Sequence, residues 1–318
     1  MTATPSKSAE TTELGMYYPA VPVRKVGPIL VATDRTVDSL SALRAADVLN
    51  RSLHRGVAVL AVIEPLPIIV PEPSSLLQPL VITPQLSAAV REQTIKQLNS
   101  VGADAPTWSM EVEEGRPAKE IAAAARKHGA SLVVLGLSHH GFVDRLIDGD
   151  TALEFLRESD TPVLLASKDF ASLPKRAVIA VDFSPESMEA ARVGIALLSP
   201  DCVVHLVHVR PQVTIFDGAG LWEEEYERVA ARQLEKFRET LAAPDTMRVE
   251  TTILVGKPAN ALTEYANKID AGLIVSGTHG AGLMRRIFIG SVASGLLRKT
   301  EHSLLVVPVP THQQQADK

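Results

Sequence analysis

Set against itself at an offset of 141 residues, the chain repeats. Gly115-Arg116-Pro117-Ala118 falls on Gly256-Lys257-Pro258-Ala259, and the match runs on through Ala130–Gly136 over Ala271–Gly277. Nine of the 22 positions in 115–136 and 256–277 are identical, where chance gives about one or two. Near the start of each half Asp34 falls on Asp182 at an offset of 148, so the halves differ by an insertion. It lies between Glu64 and Pro84, where Pro65, Pro67, Pro71, Pro73 and Pro79 interrupt short apolar residues, a composition that predicts an irregular loop or short lid. A duplication means one fold used twice: a polar tail over 1–26, domains over 27–168 and 176–309, and a short tail over 310–318. The connector Lys168–Arg176 is too short for two freely tumbling domains, so the copies are expected to pack together.

Each half alternates strand and helix patterns. Pro28–Thr33, Val57–Val62, Ser131–Leu135 and Pro162–Ala166 in the first half are apolar on both faces, as buried parallel strands are; so are Ala177–Val181, Val203–Val209, Val249–Leu254, Leu273–Ser276 and Ser303–Val307 in the second. Helices are predicted over Ser39–Leu53, Leu86–Leu98, Ala118–His128, Pro185–Leu198, Leu221–Ala243, Ala259–Lys268 and Val292–Lys299. This alternation predicts an α/β chain of two tandem doubly wound parallel-sheet domains, five strands each. Ligands of such sheets bind beyond the carboxyl ends of the strands.

Composition narrows the ligand class. A formal net charge of −5 and a pI near 6.0 give no basic footprint for a phosphate backbone, so nucleic acid is not expected as a partner. Cys202 is the lone cysteine, which rules out an intramolecular disulfide and a cysteine-based zinc site and makes a reducing compartment, the cytoplasm, the expectation. The first 20 residues lack the apolar core of a signal peptide. The longest apolar stretch, Val57–Val70, is broken by Glu64, Pro65 and Pro67 and falls short of the roughly 20 residues that cross a bilayer, so no membrane span is expected.

Two segments of the second half carry candidate chemistry. Asp182 closes the first strand; Ser184 is placed to cap the following helix and Pro185 suits its first turn, which leaves the Asp182 carboxylate for a ribose hydroxyl or an amine, or for shaping the turn. After the fourth strand, Gly277 and Gly280 allow backbone amides to approach an anion, and Gly290-Ser291 opens a helix whose free N–H groups favour phosphate. Neither GxxxxGK[ST] nor GxGxxG is present there.

The spacing Gly-x-x-Gly, nine residues, Gly-Ser, between an Ala-x-Leu-Ile-Val strand and a terminal Leu-Leu-Val-Val-Pro-Val, closely resembles the ATP-binding signature of the universal stress protein family. Val-Asp-x-Ser, His208-Val209 and Gly256-Lys257-Pro258 extend the resemblance over nearly all of 27–168 and 176–309. It implies the adenine-nucleotide hydrolase-like fold with strand order 3-2-1-4-5 in each domain. It also implies ATP as ligand, with or without magnesium: Asp182 and Val209 on the adenine and ribose side, Gly277, Gly280, Gly290, Ser291 and the Val292 amide on the phosphates. Arg285 and Arg286, inside the loop, are either extra charge for a triphosphate or plain solvated arginines.

The first copy departs from that pattern. Asp34, Val62, Gly136 and Gly149 are kept, but His139 stands where the second glycine belongs and Asp150 where the serine belongs. A side chain at 139 crowds the backbone approach, and a carboxylate at 150 caps the helix and repels phosphate, so the first copy is expected to be degenerate for ATP. Histidines do not assemble a metal site: His139 and His140 have no third ligand nearby, and His205 and His208, three apart on a strand, point to opposite faces. Trp222, Tyr226, Val229, Leu234 and Phe237 form an apolar stripe that reads as core.

Three functions are compatible with these residues. The first is a cytoplasmic stress-response protein that binds ATP in its second domain as a nucleotide-dependent switch or scaffold for a protein partner. The second is a slow ATPase or nucleotide-dependent transferase, against which no general base faces the phosphate loop. The third is a nucleotide-free interaction protein. Members of the family dimerise through terminal edge strands, and here Val163–Ala166 and Leu304–Val307 are placed to make that pairing within one chain, an intramolecular pseudo-dimer, with or without a further homodimer.

Overall fold

The computed structural model describes residues 27–64, 67–68, 78–79, 84–102, 107–137, 151–210, 212, 219–278 and 289–308. The two tails, most of the proline-rich insertion, and the segments bearing His139, Gly149, Asp150, Gly280, Arg285 and Arg286 lie outside them.

The first half consists of β1 (Ile29–Thr33), α1 (Val37–Leu53), β2 (Val57–Ile63), the two-residue strands β3 (Pro67–Ile68) and β4 (Gln78–Pro79), α2 (Pro84–Asn99), β5 (Ser109–Glu114), α3 (Pro117–His128), β6 (Leu132–Gly136), α4 (Thr151–Glu158) and β7 (Val163–Ala166). The second half repeats the plan with β8 (Arg176–Ala180), α5 (Pro185–Ile195), β9 (Val203–Arg210), α6 (Ala219–Leu241), β10 (Arg248–Val255), α7 (Pro258–Ile269), β11 (Leu273–Gly277), α8 (Ser291–Lys299) and β12 (Ser303–Val307). The expected strand order 3-2-1-4-5 is present in both halves, as β5-β2-β1-β6-β7 and β10-β9-β8-β11-β12.

The halves are continuous. β7 and β12 pair antiparallel, Leu165 opposite Leu304 and Val163 opposite Val306, which joins two parallel blocks into one ten-stranded sheet. Because this step is antiparallel, the carboxyl ends of the two sets of strands lie on opposite edges of the sheet. The two candidate sites therefore face away from each other.

Alternation along the strands divides the core between the two faces. Ile29, Val31, Val57, Val59, Ala177 and Ile179 point to the side covered by α1, α5 and α6, while Leu30, Val133, Val178, Val207, Ile274 and Leu304 point to the side covered by α3, α4, α7 and α8. Each layer runs unbroken across the seam, and its largest members are fully buried: Phe237 on one side and Phe155 on the other. Each such side chain contributes roughly 1.5–3 kcal/mol.

Several expectations change. β5 and α4 were absent from the predicted elements of the first half. β5 reads Ser-Met-Glu-Val-Glu-Glu because it is an edge strand, half-buried at best, that has no need of an apolar run. α5 ends at Ile195 rather than Leu198. The apolar stripe of α6 is only partly core: Leu234 and Phe237 are buried with Ala230 and Leu241, but Val229 is 38% exposed and Tyr226 half-buried. α6 is 23 residues long, and the buried face of its first turns is built on polar contacts described below; the Trp222 side chain lies outside the described residues.

Candidate functional site

The carboxyl end of β8 begins the site. Val181 keeps one sheet bond, its N–H to the Val207 carbonyl at 2.9 Å, and then the chain turns. Asp182 Oδ1 accepts from the Ser184 amide at 3.0 Å and its hydroxyl at 2.5 Å, and Ser184 Oγ in turn accepts from the Ser187 amide at 3.1 Å as the N-cap of α5. Of the two duties the sequence leaves open for Asp182, the turn-shaping one is present: it builds the turn that holds it. A carboxylate offers about four acceptor sites, so this duty and ligand binding are compatible. Between them, Phe183 takes a left-handed φ of 65°, which costs a non-glycine residue of order 1 kcal/mol.

The first half builds the same turn from different residues. Asp34 Oδ1 accepts from the Thr36 amide at 2.9 Å and hydroxyl at 2.6 Å, and Arg35 has φ 69°. Burial alone raises the Asp34 carboxyl, but the Thr36 hydroxyl and amide outweigh it and hold the group below its ordinary value. The duplicated Asp is therefore first of all a turn-former in both copies.

The loop after β11 is tied at both ends. Thr278 donates its N–H to the Val307 carbonyl at 3.1 Å and accepts from the Gly290 amide at 2.6 Å, which fixes the start of α8 against the end of β11. Gly290 is the N-cap of α8 and supplies no side-chain cap, and the first turn carries no acid. An acid in that turn would offset the positive end of the helix dipole, and α8 has none there. α4 differs: its first turn carries Glu154, paired with Arg116 at 3.1 Å. The first turn of α4 thus carries an acid, offset by Arg116, where the first turn of α8 carries none. Sequence reasoning missed Glu154, which occupies the position of Gly295 in the repeat.

Asp182, Val209, Gly277, Gly290, Ser291 and Val292 line one cavity of about 210 Å³, together with His208, Thr278 and Pro258. Gly280 lies outside the described residues. In the first half the structure places Asp34, Val62 and Gly136 at the ends of β1, β2 and β6; His139, Gly149 and Asp150 lie outside. Gly136 has a packing reason of its own, because a Cβ there would stand 2.3 Å from the Asp38 carbonyl oxygen. Its retention in the first copy needs no ligand. Gly256, whose φ of +134° excludes most side chains, ends β10 and aims Pro258 at the cavity wall.

His205 and His208 fall on opposite faces, and each has its own partners. His205 Nδ1 lies 3.1 Å from the Tyr265 hydroxyl on α7. His208 Nδ1 lies 2.8 Å from the Val181 carbonyl, Nε2 lies 2.7 Å from the Tyr226 hydroxyl on α6, and the ring packs on Phe183 with centroids 4.4 Å apart. A carbonyl only accepts, so Nδ1 carries the proton and the neutral Nε2 accepts from Tyr226. Burial pushes the His208 pKa down, against the opposing effects of the Val181 bond and Asp182. Beside it, buried Arg210 pairs with Glu223 at 3.0 Å and Glu227 at 3.1 Å, pinning the first turns of α6 to the end of β9.

The sequence profile of the universal stress protein family matches residues 25–167 and again 174–308. A universal stress protein of Methanocaldococcus jannaschii is 34% identical over 149 residues, 44% of this chain and 85% of that protein. One of Mycobacterium tuberculosis is 25% identical over 273 residues, 69% of this chain and 88% of that protein. The fold is similar to the crystal structure of a universal stress protein from Archaeoglobus fulgidus, with a TM-score of 0.61 at 20% identity, covering 91% of this chain and 98% of that one. The chain belongs to the universal stress protein family, with one family domain in each half.

Proposed function

We propose that the second domain binds ATP in the cavity between β8, β9, β11 and α8, and that the protein works in the cytoplasm as a nucleotide-dependent switch or scaffold in a stress response. The observation that carries this reading is the convergence of Asp182, Val209, Gly277, Gly290, Ser291 and Val292, far apart in sequence, on one cavity beside a helix N-terminus whose N-cap, Gly290, has no side chain to cap it. Asp182 and the Val209 backbone take the ribose and adenine side. Gly277, Gly280, Gly290, Ser291 and the Val292 amide take the phosphates, where the dipole of α8 adds to their hydrogen bonds. The first domain keeps Asp34, Val62, Gly136 and Gly149 but is degenerate for ATP through His139 and Asp150.

The test is the nucleotide content of the purified protein, followed by titration with ATP, ADP and AMP with and without magnesium. Binding at one site per chain, abolished by Gly290→Val, is the expected result. No detectable ATP binding overturns the reading, and sustained hydrolysis well above the Gly290→Val background would make the protein an enzyme instead.

A further inference from the structure

Asp182 is held from three sides, and one side chain provides two of the contacts. His208 donates from Nδ1 to the Val181 carbonyl, immediately before Asp182, and packs its ring, tilted by 34°, against Phe183, immediately after it. Both neighbours of the aspartate are thus fixed by the same imidazole, which is 8% exposed and is itself fixed at Nε2 by Tyr226.

The repeat supplies an internal comparison. In the first half β1 pairs with β2 through Thr33 opposite Ala61. In the second, β8 and β9 pair only as far as Ala180 opposite Val207, one position short of the equivalent. The position of Ala61 is taken by His208. Where the strand ladder stops, the imidazole N–H takes over at the Val181 carbonyl. The first half secures the same place differently: Gln97 of α2 bonds the Thr33 hydroxyl at 2.9 Å and the Thr36 carbonyl at 3.0 Å. The second half thus replaces ladder pairing by a side chain that also lines the cavity.

We propose that His208 is the positioning residue of the nucleotide site: by clamping Val181 and Phe183 it sets the turn that presents the Asp182 carboxylate to bound nucleotide. This rests on the ATP reading above and adds a residue to it. Phe183 in its left-handed conformation relaxes without the ring packed against it, and the carboxylate then loses its fixed direction even though Ser184 still bonds Oδ1.

The test is a double-mutant cycle on ATP dissociation constants in the full-length chain, with His208→Ala, Asp182→Asn and both together. Asn at 182 still accepts from Ser184, so it keeps the turn and removes the charge. Each single change is expected to weaken ATP about tenfold, and the double variant to be no weaker than Asp182→Asn alone, because His208 acts through Asp182. His208→Asn, whose side-chain N–H can bond the same carbonyl but which lacks the ring on Phe183, is expected to recover part of the loss, to about threefold weaker than wild type. Thermal midpoints of the variants, read alongside, identify any that is not folded. Should His208→Ala be unfolded, the pair His208→Asn and Tyr226→Phe carries the test: a loss of about threefold in the first and a loss confined to the Asp182-containing background in the second support the role. Additive losses in the cycle, or unchanged affinity in folded His208→Ala, overturn the positioning role while leaving ATP binding intact. Absence of ATP binding by the wild type overturns the nucleotide reading itself and the role with it.

Discussion

Ser303 accepts the Ser167 amide at 3.1 Å and shares a 3.0 Å hydrogen bond with the Ser167 hydroxyl, across the antiparallel step that joins the two halves of the ten-stranded sheet. Both residues are buried. The repeat places Pro162 and Pro308 at the other end of the seam, so the polar clasp exists at one end only. Ser303→Ala leaves a buried N–H and a buried hydroxyl of Ser167 without this partner and is expected to cost about 2–3 kcal/mol; Ser167→Ala removes one shared bond and costs about 1 kcal/mol. Urea midpoints at unchanged slope measure the difference, and equal losses would refute the assignment.

Arg210 ends β9 at 5% exposure, with Glu223 and Glu227 as its ion-pair partners on α6. The asymmetry of exposure decides what each change does. The two glutamates are 34% and 51% exposed and can swing to water, whereas the arginine cannot. Removing both acids with Glu223→Gln and Glu227→Gln strands a buried cation, a loss of about 3–5 kcal/mol, while Arg210→Met fills the space without charge and costs under about 2 kcal/mol. Chemical denaturation of the two variants is expected to rank them in that order; the reverse order would mean that the hydrogen bonds of Arg210, which Gln can still accept, hold α6 and that no cation is stranded.

The repeat carried the fold because its strongest matches fall where the backbone is most constrained. Gly115 and Gly256 have φ of 152° and 134°, and each is followed by a helix with proline in its first turn. The middles of β1, β6, β8 and β11 are buried on both faces and mostly apolar, so they were readable from composition. β5 was not, since an edge strand of Glu and Ser carries no apolar signal. The candidate site was legible in its glycines and in Asp182, but not in the way Asp182 is held. The pattern Asp-x-Ser predicts a cap at Ser184; that the aspartate itself accepts from that serine follows only from the left-handed turn at Phe183. The partnership of His208 with Tyr226 joins a strand to a helix 18 positions away and leaves no local pattern.

Two buried histidines set an acid limit on stability. Burial lowers the pKa of His205, against the pull of Glu250 and with help from Arg176 and Arg248, and burial likewise lowers that of His208. Both values lie below the ordinary 6.5 of the unfolded chain. The stability they contribute is therefore complete above pH 6.5 and is lost as pH falls from there through the folded-state values, because the unfolded chain binds protons first. Each histidine adds a slope of up to about 1.4 kcal/mol per pH unit in that window. Urea unfolding at pH 7.5 and pH 5.5 is expected to show a loss in wild type that shrinks in a variant carrying His205→Gln and His208→Asn; an equal loss in both would assign the acid sensitivity to other groups.

The two domains share the turn at Asp34 and Asp182, so what separates them for ATP is expected to lie at the other end of the site. Asp150 stands where Ser291 opens α8, and His139 stands in the place of Gly280. Two like charges about 4 Å apart repel by about 4 kcal/mol at an effective dielectric of 20, so a carboxylate at 150 excludes a phosphate from the same helix end. Glu154 in the first turn of α4, its charge offset only in part by Arg116, stands where the second domain has Gly295. His139→Gly with Asp150→Ser, made in a Gly290→Val background so that the second domain is silent, is therefore expected to give the first domain measurable ATP binding, stronger again with Glu154→Gly. Isothermal titration reads this directly. If the triple change leaves the first domain without affinity while the wild-type second domain binds, the difference between the copies lies on the nucleoside side, where Ala61 replaces His208.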